Sequence, residues 1–336
     1  MLSSTLGRMA VGKHLPLPLV IFQSSRKLSS SIPRRAEKPQ VALVTGCASG
    51  IGLATAVLLA KDPQRRFLVY GSTLGPIQKE DALREAAGPA LNDTLFPLQM
   101  DVTKDDDVEK AVATVMEEQG RIDILNNNAG IAMRKALETI SMEHIKLLFE
   151  INFFGTVRLM RAVLPIMKRQ QSGRIINQSS RNAIEGAPYM NMYTASKFAV
   201  DGISEETAVI GRFFNIWVSV IQAGGVRTSI MDNMVKMGMG GPGSKGVSDH
   251  PDVHEIDRRL STYRDHDLEW SQCPPVSAEE MAEVILRAAT DEKPHFRYQV
   301  SEPVEAIAKR KYRDHTGDEF VQYQVDRLVP FVEGKK

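Results

Sequence analysis

Cysteine is nearly absent. Cys47 and Cys273 are the only two in 336 residues, too few and too far apart for a disulfide framework or a thiolate zinc site. That scarcity fits a reducing compartment. Acidic residues are missing altogether from residues 1–36, where Arg8, Lys13, Arg26, Lys27, Arg34 and Arg35 stand among serines and leucines. A Ser-rich, basic, acid-free segment has the composition of a mitochondrial transit peptide. Its other reading, a basic tail with no targeting role, leaves the protein cytoplasmic or peripheral to a membrane. Long hydrophobic runs are lacking too. The stretch Leu15 to Phe22 is broken by Pro16 and Pro18 and is too short to span a bilayer, so no transmembrane segment is expected. Nor is there a basic surplus for nucleic acid. Six of the 42 Lys and Arg lie in the first 36 residues, which leaves 36 against 41 Asp and Glu. No internal repeat is present.

What remains is a regular alternation. Val41–Val44, Phe67–Tyr70, Thr94–Met100, Ile122–Leu125, Arg174–Gln178, Asn215–Ile221 and His295–Val300 are short apolar runs of the kind that form buried parallel strands. Between them lie helical patterns, including a long one from Ser141 to Arg169 and another from Tyr189 to Arg212. Strand and helix in turn predict a doubly wound α/β fold with helices on both faces of a parallel sheet. We expect this Rossmann-type domain over residues 39–300, with a helical extension over 301–336. Residues 230–272 break the alternation and are expected to form a lid over the substrate, with Met231, Met234, Met237 and Met239 as adaptable contacts. His250 and His254 have the spacing of a metal pair, but Pro251 between them argues against it, and no metal site is expected.

Three features carry chemistry. The first is Thr45-Gly-Cys-Ala-Ser-Gly-Ile-Gly52, a Gly-rich turn between a strand and a helix. Such a turn lets backbone approach a pyrophosphate, whose charge meets the helix N-terminus. The second is Asp101 at the end of the third strand, placed either to accept from an adenine amino group or simply to face solvent. The third is Tyr193 with Lys197 one helical turn later. An ammonium beside a phenol lowers the phenol's pKa and suits it to proton transfer near neutrality, though taken alone the pair is equally compatible with an ordinary Tyr and a solvated Lys. Ser180 lies upstream at a strand end, within range of the same substrate oxygen.

Together with Asn127-Asn-Ala-Gly130 and Asn152, these motifs resemble the short-chain dehydrogenase/reductase family over about Gln40 to Val300. Within it they are similar to the group of estradiol 17-beta-dehydrogenase type one and photoreceptor-type retinol dehydrogenase. The stretches that carry the closer likeness are Val44–Leu53, Asn152–Arg158, Leu164–Arg169, Tyr193–Ala199 and Tyr312–Gly317. The resemblance implies an NAD(P)-dependent enzyme that interconverts a lipophilic alcohol and its carbonyl, and a homodimer built on the two long helices. It implies Tyr193 as the acid/base and Ser180 as the group that holds the substrate oxygen. Lys197 tunes Tyr193, and Asn152 sits at a helix irregularity and holds a relay water. It implies a cofactor site formed by Gly46, Ser49, Gly50, Ile51, Gly52, Asp101, Val102, Asn128, Ala129, Gly130, Tyr193, Lys197, Val226 and Thr228.

This chain departs from the family pattern at Ala223-Gly224 in place of Pro-Gly, and at Arg181-Asn182, which are bulky and polar after Ser180. It also has Tyr70-Gly-Ser-Thr-Leu74 at the end of the second strand, with neither the Asp that favours NAD nor an Arg for NADP. Ser49, Ser72 and Thr73 are then the expected partners of a 2′-phosphate, which favours NADP over NAD. The competing reading is a non-catalytic dinucleotide-binding scaffold of the same fold. The intact Asn152, Ser180, Tyr193 and Lys197 set argues against it.

Overall fold

The structure is a computed structural model that describes residues 38–76, 81–240 and 275–313, with 255, 256 and 260 between the last two stretches. The expected transit segment, most of the expected lid with His250 and His254, and residues 314–336 lie outside the described residues.

Seven strands form one parallel sheet: β1 (Gln40–Val44), β2 (Phe67–Thr73), β3 (Leu95–Gln99), β4 (Ile124–Asn127), β5 (Gly173–Gln178), β6 (Ile216–Gln222) and β7 (Arg297–Gln299). Their order is β3-β2-β1-β4-β5-β6-β7. The chain winds outward from β1 on one side, returns, and winds outward on the other. The crevice this leaves beyond the carboxyl ends of β1 and β4 is where ligands bind on such sheets.

Both faces of the sheet are covered, which explains why the strands are continuously apolar. Alternate residues of β1 point to opposite sides. Ala42 and Val44 join a core with α1 (Gly50–Ala60) and α8 (Ala278–Thr290). Val41 and Leu43 join the opposite core with α3 (Asp105–Gln119) and α5 (Gly155–Gln170). Local signals set the helix ends. Asp105, Asp106 and Asp107 sit in the first turn of α3, where carboxylates oppose the helix dipole. Gly120 closes that helix in the left-handed region at φ 71°. Ser277 and Glu280 form a reciprocal capping box at the start of α8. The remaining helices are α2 (Asp81–Ala87), α4 (Met142–Phe149), α6 (Asn191–Gly211), α7 (Ile230–Lys236) and α9 (Glu302–Lys311).

Four expectations change. The helix predicted over Ser141–Arg169 is two helices, α4 and α5, joined by a π-helical segment at Glu150–Phe154 that contains Asn152. Strand β2 continues to Thr73, because Gly71, Ser72 and Thr73 pair with Pro97, Leu98 and Gln99. Helix α6 begins at Asn191 because Tyr189 takes φ 64°, outside the right-handed helical region. The start of the expected lid is itself the helix α7. Its Met234 and the following Met239 are buried with Met133 and Leu148, so they are core and not substrate contacts.

Candidate active site

The β1 and β4 turns interlock. Thr45 Oγ1 accepts from the backbone N–H of Asn128 at 3.0 Å and of Ala129 at 2.9 Å. Asn128 Nδ2 donates to the carbonyls of Thr45 at 2.8 Å and Gly46 at 3.3 Å. Gly46 has φ 72° and Gly50 has φ 56°, values that favour glycine. Gly52 serves packing: a Cβ there would lie 2.3 Å from the Gly46 carbonyl oxygen. The third glycine of the turn therefore lets α1 seat against β1.

A cavity of about 570 Å³ opens over this turn. Of the residues expected at the cofactor, Gly46, Ser49, Gly50, Ile51, Asp101, Val102, Asn128, Ala129, Gly130, Tyr193, Lys197, Val226 and Thr228 all line it. Gly52 does not. Ser180 lines it as well, with Ser179 and Gln178 beside it. Ala223 and Gly224, where the family pattern has Pro-Gly, form part of the same wall.

Asp101 and Lys197 are the only charged residues among the described ones that line the cavity. Burial pushes the Asp101 carboxyl up, but bonds from Thr103 Oγ1 and N–H and the Lys104 charge outweigh it and hold the group below the ordinary carboxylate range. Burial pushes Lys197 down to about 8, opposed by the nearby Asp201 charge. Lys197 Nζ donates to the carbonyl of Gln178 at 2.8 Å and stands 5.8 Å from the Tyr193 ring centre. The Lys197 ammonium is itself buried, so its field at the phenol is screened less than in bulk water. Ser180 Oγ accepts from the backbone N–H of Asn182 at 3.1 Å and donates to Asn182 Oδ1 at 3.5 Å, a long bond that a substrate oxygen in the cavity would replace.

Asn152 is buried and does not line the cavity. Its Oδ1 accepts from Ile131 N–H at 2.8 Å, and its Nδ2 donates to Ile131 O at 2.9 Å and Ser196 Oγ at 3.2 Å. Ser196 Oγ in turn donates to the Tyr193 carbonyl at 2.7 Å. The π turn thus sets the Asn152 side chain between the wall at Ile131 and the Tyr193 helix. Arg181 and Asn182, the bulky polar pair that departs from the family pattern, do not line the cavity either. Arg181 is ion-paired with Glu185 in the interior, and Asn182 Nδ2 donates to Thr194 Oγ1 at 3.1 Å.

Of the three hydroxyls expected at a 2′-phosphate, Ser49 lines the cavity, while Ser72 and Thr73 are 1% exposed because β2 continues through them. Leu74, 70% exposed at the adjoining edge, and the wall residues Ile131 and Leu147 were not expected at the site, whereas Ile230 and Met237 belong to the expected lid and do line the cavity. Leu147 was legible as part of a helical pattern, but its direction was not. The glycine cradle, Ser49, the Asp101 carboxylate and Lys197 on one cavity fit a dinucleotide.

The chain's residues 40–238 match the short chain dehydrogenase family model. Human 17-beta-hydroxysteroid dehydrogenase type 1 is 36% identical over 84% of this chain and 83% of that protein. Retinol dehydrogenase 8 of Bos taurus is 34% identical over 85% of this chain and 89% of that protein. A crystal structure of a short-chain dehydrogenase from Streptomyces avermitilis superposes with a TM-score of 0.67 at 26% identity, covering 87% of this chain and 98% of that one. With the motifs on one parallel sheet and most of the length shared with these relatives, the chain belongs to the short-chain dehydrogenase family and is an NAD(P)-dependent oxidoreductase.

Proposed function

We propose that the protein interconverts an alcohol and its ketone or aldehyde on a lipophilic, steroid- or retinoid-like substrate, with Tyr193 as the acid/base. The observation that carries this reading is one cavity that joins the Gly46–Gly52 turn to Ser180, Tyr193 and Lys197. The nicotinamide, when bound, supplies the hydride chemistry. In reduction the Tyr193 hydroxyl gives its proton to the substrate oxygen, and in oxidation it takes one. Ser180 Oγ donates to that same oxygen, its own lone pair already engaged by Asn182 N–H. The Lys197 charge stabilises the phenolate that forms. Asn152 acts through Ile131 and Ser196, holding the cavity wall and the Tyr193 helix at a fixed separation, and is the proposed anchor of the relay water. Ile131, Leu147, Ile230 and Met237 exclude water and favour an apolar substrate. The names of the two curated relatives support a steroid or a retinoid as that substrate.

The protein is further proposed to be a homodimer. Phe154 and Phe198 are exposed at 46% and 43%, and Phe153, Val157 and Ile203 are only partly covered, so none of the five belongs to the core. The basic segment over residues 1–36 is proposed as a mitochondrial transit peptide, followed by the catalytic domain over 39–300 and the extension over 301–336.

Purified protein given NADPH or NADH is expected to reduce members of a steroid-ketone and retinal panel, read as loss of absorbance at the dihydronicotinamide band. Tight nucleotide binding with no turnover across the panel would instead favour the non-catalytic scaffold.

The preference for NADP is also proposed, resting on Ser49 and on the lack of a carboxylate at the end of β2. It is weak, because no cation among the described residues lines that end of the cavity. Leu74→Arg is expected to tighten NADPH relative to NADH by about tenfold or more, since a hydrogen bond to a charged group is worth roughly 1.5–3 kcal/mol. Fluorescence titration of the two nucleotides measures the ratio, and an unchanged ratio would remove Leu74 from the ribose end of the site.

A further inference from the structure

Helix α6 carries, one turn beyond Lys197, a carboxyl group that the proposed chemistry leaves unused. Tyr193, Lys197 and Asp201 follow one another at helical spacing on one face. Asp201 is 8% exposed. Its Oδ1 accepts from Ser179 Oγ, and its Oδ2 accepts from Gln222 Nε2 at 2.7 Å. Gln222 is itself fixed by Gln299 Nε2, which donates to its Oε1 at 2.8 Å. Lys197 and Asp201 therefore grip neighbouring residues of the same strand end. Lys197 holds the Gln178 carbonyl, Asp201 holds the Ser179 hydroxyl, and Ser180 comes next.

A carboxyl so deeply placed is costly to ionise unless donors and cations surround it. The donors are Ser179 at the end of β5 and Gln222 on β6, and the cations are Arg297 on β7 and Lys197 on α6. Burial pushes Asp201 up to about 6 in spite of them, and pushes Lys197 down to about 8 in spite of Asp201. Both are charged only between those limits.

We propose that Asp201 is a positioning residue for the reaction: its buried carboxylate keeps the Lys197 ammonium charged and, through Ser179, fixes the strand end that presents Ser180. The proposal rests on the reading of Tyr193 and Lys197 given above. It separates Asp201 from a purely structural carboxyl by a consequence on Lys197, whose ionisation must respond when the charge is removed at constant size.

Asp201→Asn does this in the full chain. The ionisation of Lys197 is read without turnover, by carbon NMR of the ε-methylene in lysine-labelled protein, with the signal assigned by its loss in Lys197→Arg. The expected wild-type midpoint is near 8. In Asp201→Asn it falls by about one unit, the usual effect of losing a nearby opposite charge. The alkaline limb of kcat/KM falls with it, and Asp201→Glu, which keeps the charge, restores both. An unmoved Lys197 midpoint in Asp201→Asn overturns the proposal. If that variant does not fold, Ser179→Ala carries the test. Loss of this donor raises Asp201, so the acid limb moves up from about 6, and a stationary limb overturns the proposal. Failure of the Tyr193 reading is distinguishable: it shows as turnover in Tyr193→Phe while the Lys197 midpoint still answers to Asp201.

Discussion

Tyr193→Phe is expected to lower kcat by roughly 10³-fold, within the range for losing a positioned acid/base. Only one oxygen is removed. The ring stays packed against the cluster of Met133, Leu148, Met234 and Met239, so the helix and the cavity keep their shape. Lys197 keeps its bond to the Gln178 carbonyl, and the Gly46 turn is far from the change in the chain and braced by Asn128. Nucleotide affinity should therefore stay within about threefold, and the melting temperature within a few degrees, as expected for a single-oxygen change on a partly exposed side chain. A large fall in kcat with intact nucleotide binding locates the loss in proton transfer. The measurement is single-turnover reduction at saturating nucleotide, beside a fluorescence titration. Near-wild-type turnover would remove Tyr193 from the chemistry. Equal losses of binding and rate would make it a structural residue.

Much of this was legible in the sequence, for a definite reason. A parallel sheet covered on both faces needs strands that are apolar on both sides, so β1, β4 and β5 stand out as short dense runs between helical patterns. The turn at Gly46 to Gly52 was legible from its glycines and its place between β1 and α1. What the sequence hid was direction. Asn152 sits in a pattern that continues as helix on both sides. No local pattern marks a break there; only the resemblance implied a helix irregularity at Asn152, and the structure has a π-helical segment with the Asn152 side chain bonded to Ile131. Ser72 and Thr73 looked like loop hydroxyls next to a ligand. Pairing with Leu98 and Gln99 draws them into the sheet, and that pairing is a long-range fact. Arg181 stood out as bulky and polar after Ser180, but its ion pair with Glu185, four residues on, holds it in the interior. Met234 and Met239 suited a lid by composition, but helix α7 turns Met234 inward and Met239, just beyond the helix, is buried in the same cluster. Asp201 gave no signal at all, because a lone Asp in an amphipathic helix is ordinarily solvated. Its meaning comes from Ser179 and Gln222, which lie on two other elements.

Gly52→Ala should produce the second large effect, and its sign runs against the usual rule. Replacing glycine by alanine inside a helix ordinarily stabilises by about 1 kcal/mol, through helix propensity and a less free unfolded chain. Gly202 in α6 is such a place: a Cβ there meets nothing within 4 Å, and Gly202→Ala should raise stability by about that amount. At Gly52 the added carbon would sit 2.3 Å from the Gly46 oxygen and 2.4 Å from Asn128 Nδ2. Neither neighbour is a flexible chain end. The first is backbone, and the second is held by its bonds to Thr45 and Gly46. Relief requires α1 to move off β1 or the Gly46 peptide to turn. Overpacking of this kind costs roughly 1–3 kcal/mol, and loosening the Asn128 bonds about 1 kcal/mol more. The propensity gain is outweighed, so the variant should be less stable by about 1–3 kcal/mol. Binding should suffer more than stability, because the peptide that must shift belongs to the wall of the cavity. A displacement there misplaces the whole turn against a pyrophosphate, and a loss of nucleotide affinity of roughly 100-fold is expected for several misaligned hydrogen bonds to a charged group. Urea unfolding and nucleotide titration of both alanine variants test the contrast. If Gly52→Ala were as stable as Gly202→Ala and still bound nucleotide normally, the close seat of α1 on the β1 turn could not be what shapes the site.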